Sequence, residues 1–203
     1  MKIYVLGDSI SIHYGPFLQK YVQGIFDYAR KEGEEEALLN LDQPMGANGG
    51  DSSMVLKFLQ FKHSNEGISS DLILINCGLH DIKANPKTGE RQIDTDTYQS
   101  NLRAIITLIA SMQLQLIWIR TTPCNDAIHN RPESLFYRYA ADVDHYNQIA
   151  DQVMAEHQIP SIDLYQFTEN LGPDLYCDHI HFNESIHEKQ AAFIAGWLNR
   201  FID

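Results

Sequence analysis

The chain is poor in basic residues: 15 lysines and arginines stand against 27 aspartates and glutamates, a formal net charge of -12 and a pI near 5.0. Such a balance repels phosphate backbones, which removes nucleic acid from the expected partners. Long apolar runs are also missing. No stretch approaches the roughly 20 residues that a membrane span requires. The N-terminal run Met1-Lys2-Ile3-Tyr4-Val5-Leu6 stops at Gly7, too short for a signal peptide, so a cytoplasmic location is expected. Cysteine is scarce: Cys77, Cys124 and Cys177 are odd in number and form no CxxC, so they read as reduced thiols in small packing positions. Neither an internal repeat nor a low-complexity segment occurs, which excludes a repeat array. What remains is 203 residues, 44% hydrophobic and 21% charged, enough for one globular domain over 1–203 with a sizeable core.

Strand-like and helix-like patterns alternate along that domain. Ile3 to Leu6 reads as a buried strand, and Phe17, Leu18, Tyr21, Val22, Ile25, Phe26 and Ala29 fall at helical spacing. That helix is expected to open at Pro16 and to close near Gly33. Ala37 to Leu41 is predicted as the second strand, followed by a glycine-rich stretch and a short helix carrying Met54, Val55, Phe58 and Leu59. Leu72-Ile73-Leu74-Ile75 has the continuous apolar character of a central parallel strand. Further strands are expected at Leu114–Ile119 and Ile159–Leu164, with helices carried by Tyr98 to Met112, Val143 to Met154 and Ile186 to Phe201. Five strands separated by helices predict an α/β fold: a three-layer α/β/α sandwich around a parallel sheet. Ligands in such folds bind beyond the carboxyl ends of the strands. The long polar segment from Thr121 to about Ser134 is placed to act as a flap over that end.

Three segments at strand ends or in late loops carry chemistry. Gly7-Asp8-Ser9 ends the first strand and places a hydroxyl at the ligand face, beside backbone N–H groups able to receive an oxyanion. Asp178-His179-Ile180-His181 precedes the last helix and sets an acid three residues before a histidine, as a serine's base and its orienting carboxylate require. Cys77-Gly78-Leu79-His80-Asp81 follows the strongest strand; with Gly49-Gly50-Asp51-Ser52 it supplies glycine N–H groups and a side-chain donor. Each segment also reads as an ordinary turn when taken alone. A metal site on Asp178, His179, His181 and His187 is a second chemistry open to these residue types.

Taken together, these residues resemble the SGNH (GDSL-type) hydrolase family. Gly7-Asp8-Ser9 is similar to its first block, Gly50 within Asn48-Gly49-Gly50-Asp51-Ser52 to its second, and Asp178-x-x-His181 to its last. The likeness runs from residue 3 to about 200 and implies the flavodoxin-like form of the sandwich. It implies Ser9 as nucleophile, His181 as base and Asp178 as its carboxylate, with an oxyanion hole from Ser9, Gly50 and His80. Neither metal nor cofactor is needed, and the partner is a small-molecule ester. The third block departs from the family pattern: Gly-x-Asn-Asp is usual there, and this chain has Gly78-Leu79-His80-Asp81. His80 could donate in place of the asparagine amide, contact substrate, or mark weakened activity. The expected substrates carry short acyl groups on a polar or carbohydrate alcohol, with His13, Tyr14 and Arg131 lining the pocket. Lysophospholipase or thioesterase activity, or a binding module that has kept the fold, are the other functions compatible with the resemblance.

Overall fold

The computed structural model describes residues 1–202. Its five strands are β1 (Lys2–Leu6), β2 (Asp27–Arg30), β3 (Leu72–Ile75), β4 (Gln115–Ile119) and β5 (Ser161–Ile162), ordered β2-β1-β3-β4-β5 with every neighbouring pair parallel. The helices are α1 (Ser9–Val22), α2 (Glu34–Leu39), α3 (Ser52–Ser64), α4 (Thr95–Ser111), α5 (Asp126–His129), α6 (Ala140–Glu156), α7 (Leu164–Glu169) and α8 (Glu184–Leu198). α1 packs on α8, and α8 on α7; α3 packs on α4, and α4 on α6. These two groups form the outer layers of the expected flavodoxin-like α/β/α sandwich.

β1 and β3 lie at the centre because they can be buried on both faces: Ile3, Leu6, Ile73, Leu74 and Ile75 are all fully buried. The strand order reverses between these two strands, so the crevice at their carboxyl ends is the topological switch point where ligands bind in such sheets. Gly7–Ser9 and Cys77–Asp81 leave the sheet on either side of that crevice.

Three boundaries differ from the sequence expectation. The first helix opens at Ser9, not Pro16, because Asp8 caps it: its Oδ1 accepts from Ile10 N–H at 3.0 Å. Pro16 sits inside the helix, which ends at Val22 just before Gly24 at φ +79°. The apolar spacing that extends to Ala29 therefore crosses a turn and runs into β2. The second strand is not Ala37–Leu41, where α2 forms. Glu34, Glu35 and Glu36 fill that helix's first turn, where carboxylates meet its positive end, and Ala37-Leu38-Leu39 are strong helix formers. The true β2, Asp27-Tyr28-Ala29-Arg30, is a short, half-buried edge strand with little apolar signal. The fifth strand shrinks to two residues because Asp163 accepts from Gln166 N–H at 3.0 Å and starts α7.

Candidate active site

Ser9 is the first residue of α1, so its N–H has no carbonyl one turn back to bond within the helix. Its side chain is 4% exposed. Ser9 Oγ lies 2.9 Å from His181 Nε2, and His181 Nδ1 lies 2.7 Å from Asp178 Oδ2. Asp178 Oδ1 accepts two backbone bonds, from Ile180 N–H at 2.8 Å and His181 N–H at 2.7 Å. The turn thus fixes carboxylate and imidazole together. Burial works to raise the Asp178 carboxyl pKa, but the His181 ring and the two N–H groups outweigh it and hold the group well below the usual range. An ionised Asp178 on Nδ1 keeps that proton in place and leaves Nε2 to face the serine hydroxyl. The arrangement can remove the Ser9 proton and stabilise the resulting imidazolium.

The glycine segments are drawn tightly around this serine. Gly49 N–H donates to Gly7 O at 2.8 Å, and a Cβ on Gly49 would stand 3.0 Å from that oxygen. Gly50 adopts φ +72°, and its N–H donates to Asn48 Oδ1 at 3.0 Å. In this state the Gly50 amide, expected as an oxyanion donor, is engaged by its own loop. Asp81 is fully buried and receives Ser52 N–H at 2.9 and 3.1 Å, tying the third segment to the start of α3. Burial pushes its carboxyl up to about 7 despite those bonds.

His80 is 1% exposed, and its Nδ1 is enclosed with no partner. Burial lowers its pKa well below the ordinary histidine value, and the cations Lys83 and Arg138 lower it further, so the ring is neutral. An enclosed nitrogen without an acceptor is far less costly as a lone pair than as an N–H. That places the ring proton on Nε2 and makes His80 a one-donor imidazole.

The remaining expected residues divide. Arg131 lines a broad cleft of about 1630 Å³ that Cys177, Asp178 and His179 also border. Tyr14 does not line it: the ring is 2% exposed and packs in the main core, because its helix position faces the sheet. His13 does not line it either. Its ring lies 5.2 Å from His181 and stacks at 4.7 Å on His187, behind the Ser9–His181 pair. The four residues of the metal alternative do not converge. Asp178 and His181 serve each other, His179 Nε2 is 3.2 Å from Asp42 Oδ2, and His187 Nδ1 is 3.1 Å from Gln190 Oε1. Among the described residues, no group of three or more such side chains is disposed to hold one ion. Of the cysteines, Cys77 and Cys124 are buried as expected, whereas Cys177 is exposed; all three are free.

Sequence reasoning missed a polar cluster at the inner wall of the cleft, formed by Asp42, Lys83 and His129 with Arg138 behind them. Arg138 is 2% exposed and donates through Nε to Leu79 O at 2.6 Å, next to His80; its Nη1 lies 2.8 Å from His129 Nε2. Nothing in Tyr137-Arg138-Tyr139 distinguishes it from a solvated turn. Lys83 offers a faint signal, since it lies two residues beyond Cys77–Asp81, the segment already singled out.

The chain's similarities agree with this geometry. The GDSL-like lipase/acylhydrolase family model matches residues 5–189. A search of curated proteins finds no match. Among solved structures, a lipase/acylhydrolase from Enterococcus faecalis is similar at TM-score 0.72 and 21% identity, covering 100% of this chain and 97% of that one. A psychrotrophic esterase from Pseudoalteromonas sp. is similar at TM-score 0.66 and 15% identity, with 99% and 98% covered. A carbohydrate acetylesterase from Sinorhizobium meliloti gives TM-score 0.66 and 12% identity, with 99% of each chain covered. At these identities the structures speak for the fold, while the family model spans nearly the whole chain: the protein belongs to the GDSL-like lipase/acylhydrolase family of hydrolases.

Proposed function

We propose that this hydrolase is a serine esterase that cleaves carboxylic esters through an acyl-enzyme on Ser9. The observation that carries the reading is the unbroken chain from Ser9 Oγ to His181 Nε2 and from His181 Nδ1 to Asp178 Oδ2, at 2.9 and 2.7 Å. His181 takes the Ser9 proton as Oγ attacks the ester carbonyl, and Asp178 stabilises the imidazolium. The tetrahedral oxyanion is received by Ser9 N–H and by His80, with Gly50 N–H joining on release from Asn48. Collapse of the intermediate breaks the bond to the alcohol, which leaves with the proton from His181. Water, deprotonated by His181, then releases the acid and restores Ser9. No metal or cofactor enters this sequence.

The substrate favoured is a short acyl group, such as acetyl, on a polar or carbohydrate alcohol. A cleft rich in polar side chains, among them Asn40, Gln43, Asn85, Gln92 and Arg131, supports a polar alcohol. Carbohydrate acetylesterase activity is named for one structural neighbour, which adds weight to this class. The test is a screen of p-nitrophenyl esters and acetylated sugars with wild type and Ser9→Ala. Hydrolysis lost in the folded variant supports the proposal; equal turnover by both proteins refutes it.

A further inference from the structure

Two cations are buried in the inner wall of the cleft beside Asp178 and His179. Lys83, which lines the cleft, is 8% exposed, and Arg138, immediately behind it, is 2% exposed. Lys83 Nζ donates to the main-chain oxygen of Asp42 at 2.6 Å and stands 4.4 Å from the Phe136 ring centre. Arg138 also lies over that ring, at 4.8 Å, and its guanidinium bonds Leu79 O and His129. An ammonium has three donors and a guanidinium five. Only one of the first set and two of the second meet an acceptor in the protein.

Asp42, the first carboxylate to act on both cations, completes neither. Asp42 Oδ2 is 3.2 Å from His179, while Oδ1 is 3.9 Å from Arg138 and forms no hydrogen bond. Asp178 is turned to His181 and to its own turn. The acids elsewhere on the lining, Glu90 and Glu133, are exposed and share the rim with Lys87, Arg91 and Arg131. The natural complement of cationic donors that lack an acceptor in the protein is a group with several acceptor oxygens and negative charge. Burial, and then the Arg138 charge, hold Lys83 down to about 8, and burial holds Arg138 down to about 10 against the carboxylates of Asp42, Asp8 and Asp178.

We infer that this wall, centred on Lys83 and backed by Arg138, is an anion subsite, and that the preferred ester carries a carboxylate or phosphate on the half lying in the cleft. The inference rests on the esterase reading given above. It narrows the polar alcohol or short acyl group to one bearing a negative charge.

Three matched pairs test it by kcat/KM. The acyl arm compares p-nitrophenyl hydrogen adipate with p-nitrophenyl hexanoate. The alcohol arm compares para-acetoxybenzoate with its methyl ester, and the phosphate arm compares para-acetoxyphenyl phosphate with phenyl acetate. At least one anionic ester is expected to be favoured about tenfold or more, identifying the half and the anion, with that ratio falling by about tenfold in Lys83→Met and surviving in Lys83→Arg. Ratios near one in all three pairs overturn the inference, as does a preference that Lys83→Met leaves intact. Should Lys83→Met fail to fold, Lys83→Gln gives the same reading. Binding of the same esters to Ser9→Ala, followed by calorimetry, separates the two claims. Anion-selective binding without wild-type turnover would sink the esterase reading alone, and turnover without selectivity would sink the subsite alone.

Discussion

His80 stands where this family usually has an asparagine, and its surroundings define what it can do. A neutral ring with an enclosed, unpartnered Nδ1 keeps its proton on Nε2, so it offers one donor where an amide would offer two. His80→Asn is expected to keep wild-type-like esterase activity, whereas His80→Ala should lower kcat by about 10²-fold or more. Equal rates for His80→Ala and wild type would remove His80 from the oxyanion hole. Asp178→Asn should lower kcat more severely, by about 10³-fold or more, because an amide that donates to Nδ1 sets the wrong imidazole tautomer. Steady-state rates on one ester check both. At this scale the Ser9, Asp178 and His181 trio was legible because its spacing and residue types are unusual together. Gly50 was legible as a glycine but not in its bond to Asn48, which depends on a side-chain rotamer. Arg138 left no trace, since burial of a turn arginine is decided by residues far away in sequence.

At the level of elements, the site is held by strand ends and helix starts. Asp8, Asp51 and Asp94 each cap a helix through a side-chain oxygen, and two of those helices begin at the crevice. Thr121, just after β4, bonds Cys77 O through Oγ1 at 3.1 Å and locks the segment that bears His80. There is no room for a side chain at Gly78: a Cβ would meet Thr121 Oγ1 at 2.2 Å. Gly78→Ala is therefore expected to cost about 1–3 kcal/mol of stability in urea unfolding, and Thr121→Ala in the same chain should recover part of it. A Gly78→Ala protein as stable as wild type would contradict this packing. The central strands were readable from their continuous apolar runs. The edge strand β2 was not, because one exposed flank lets Asp27, Tyr28 and Arg30 replace an apolar pattern. Helical spacing that happens to continue past Gly24 hid the end of α1.

Across the whole molecule, buried neutral histidines govern the response to acid. Burial lowers His187 to about 3 and His129 to about 4, and lowers His13 and His80 as well. Each binds a proton in the unfolded chain from about pH 6.5 downward but not in the folded one, so acidification in that window favours unfolding. Asp81, raised by burial to about 7, acts in the opposite sense over the same range, and Asp8 and Asp151, also raised by burial, act in that sense too. Four groups against three leave a net loss, and Asp42 and Asp178, held low by their partners, add to it below about pH 4. Tm should thus fall steadily from pH 6.5 to pH 4; a maximum at or below pH 5 would contradict that balance. The central claim, that Ser9 is the nucleophile of an esterase, is tested most directly by treating the protein with an ester-like alkyl phosphonate and locating the adduct by peptide mass spectrometry. The account predicts one adduct, on Ser9, formed in step with loss of ester hydrolysis and abolished in His181→Ala; modification at another residue, or full hydrolysis with Ser9 blocked, would contradict it.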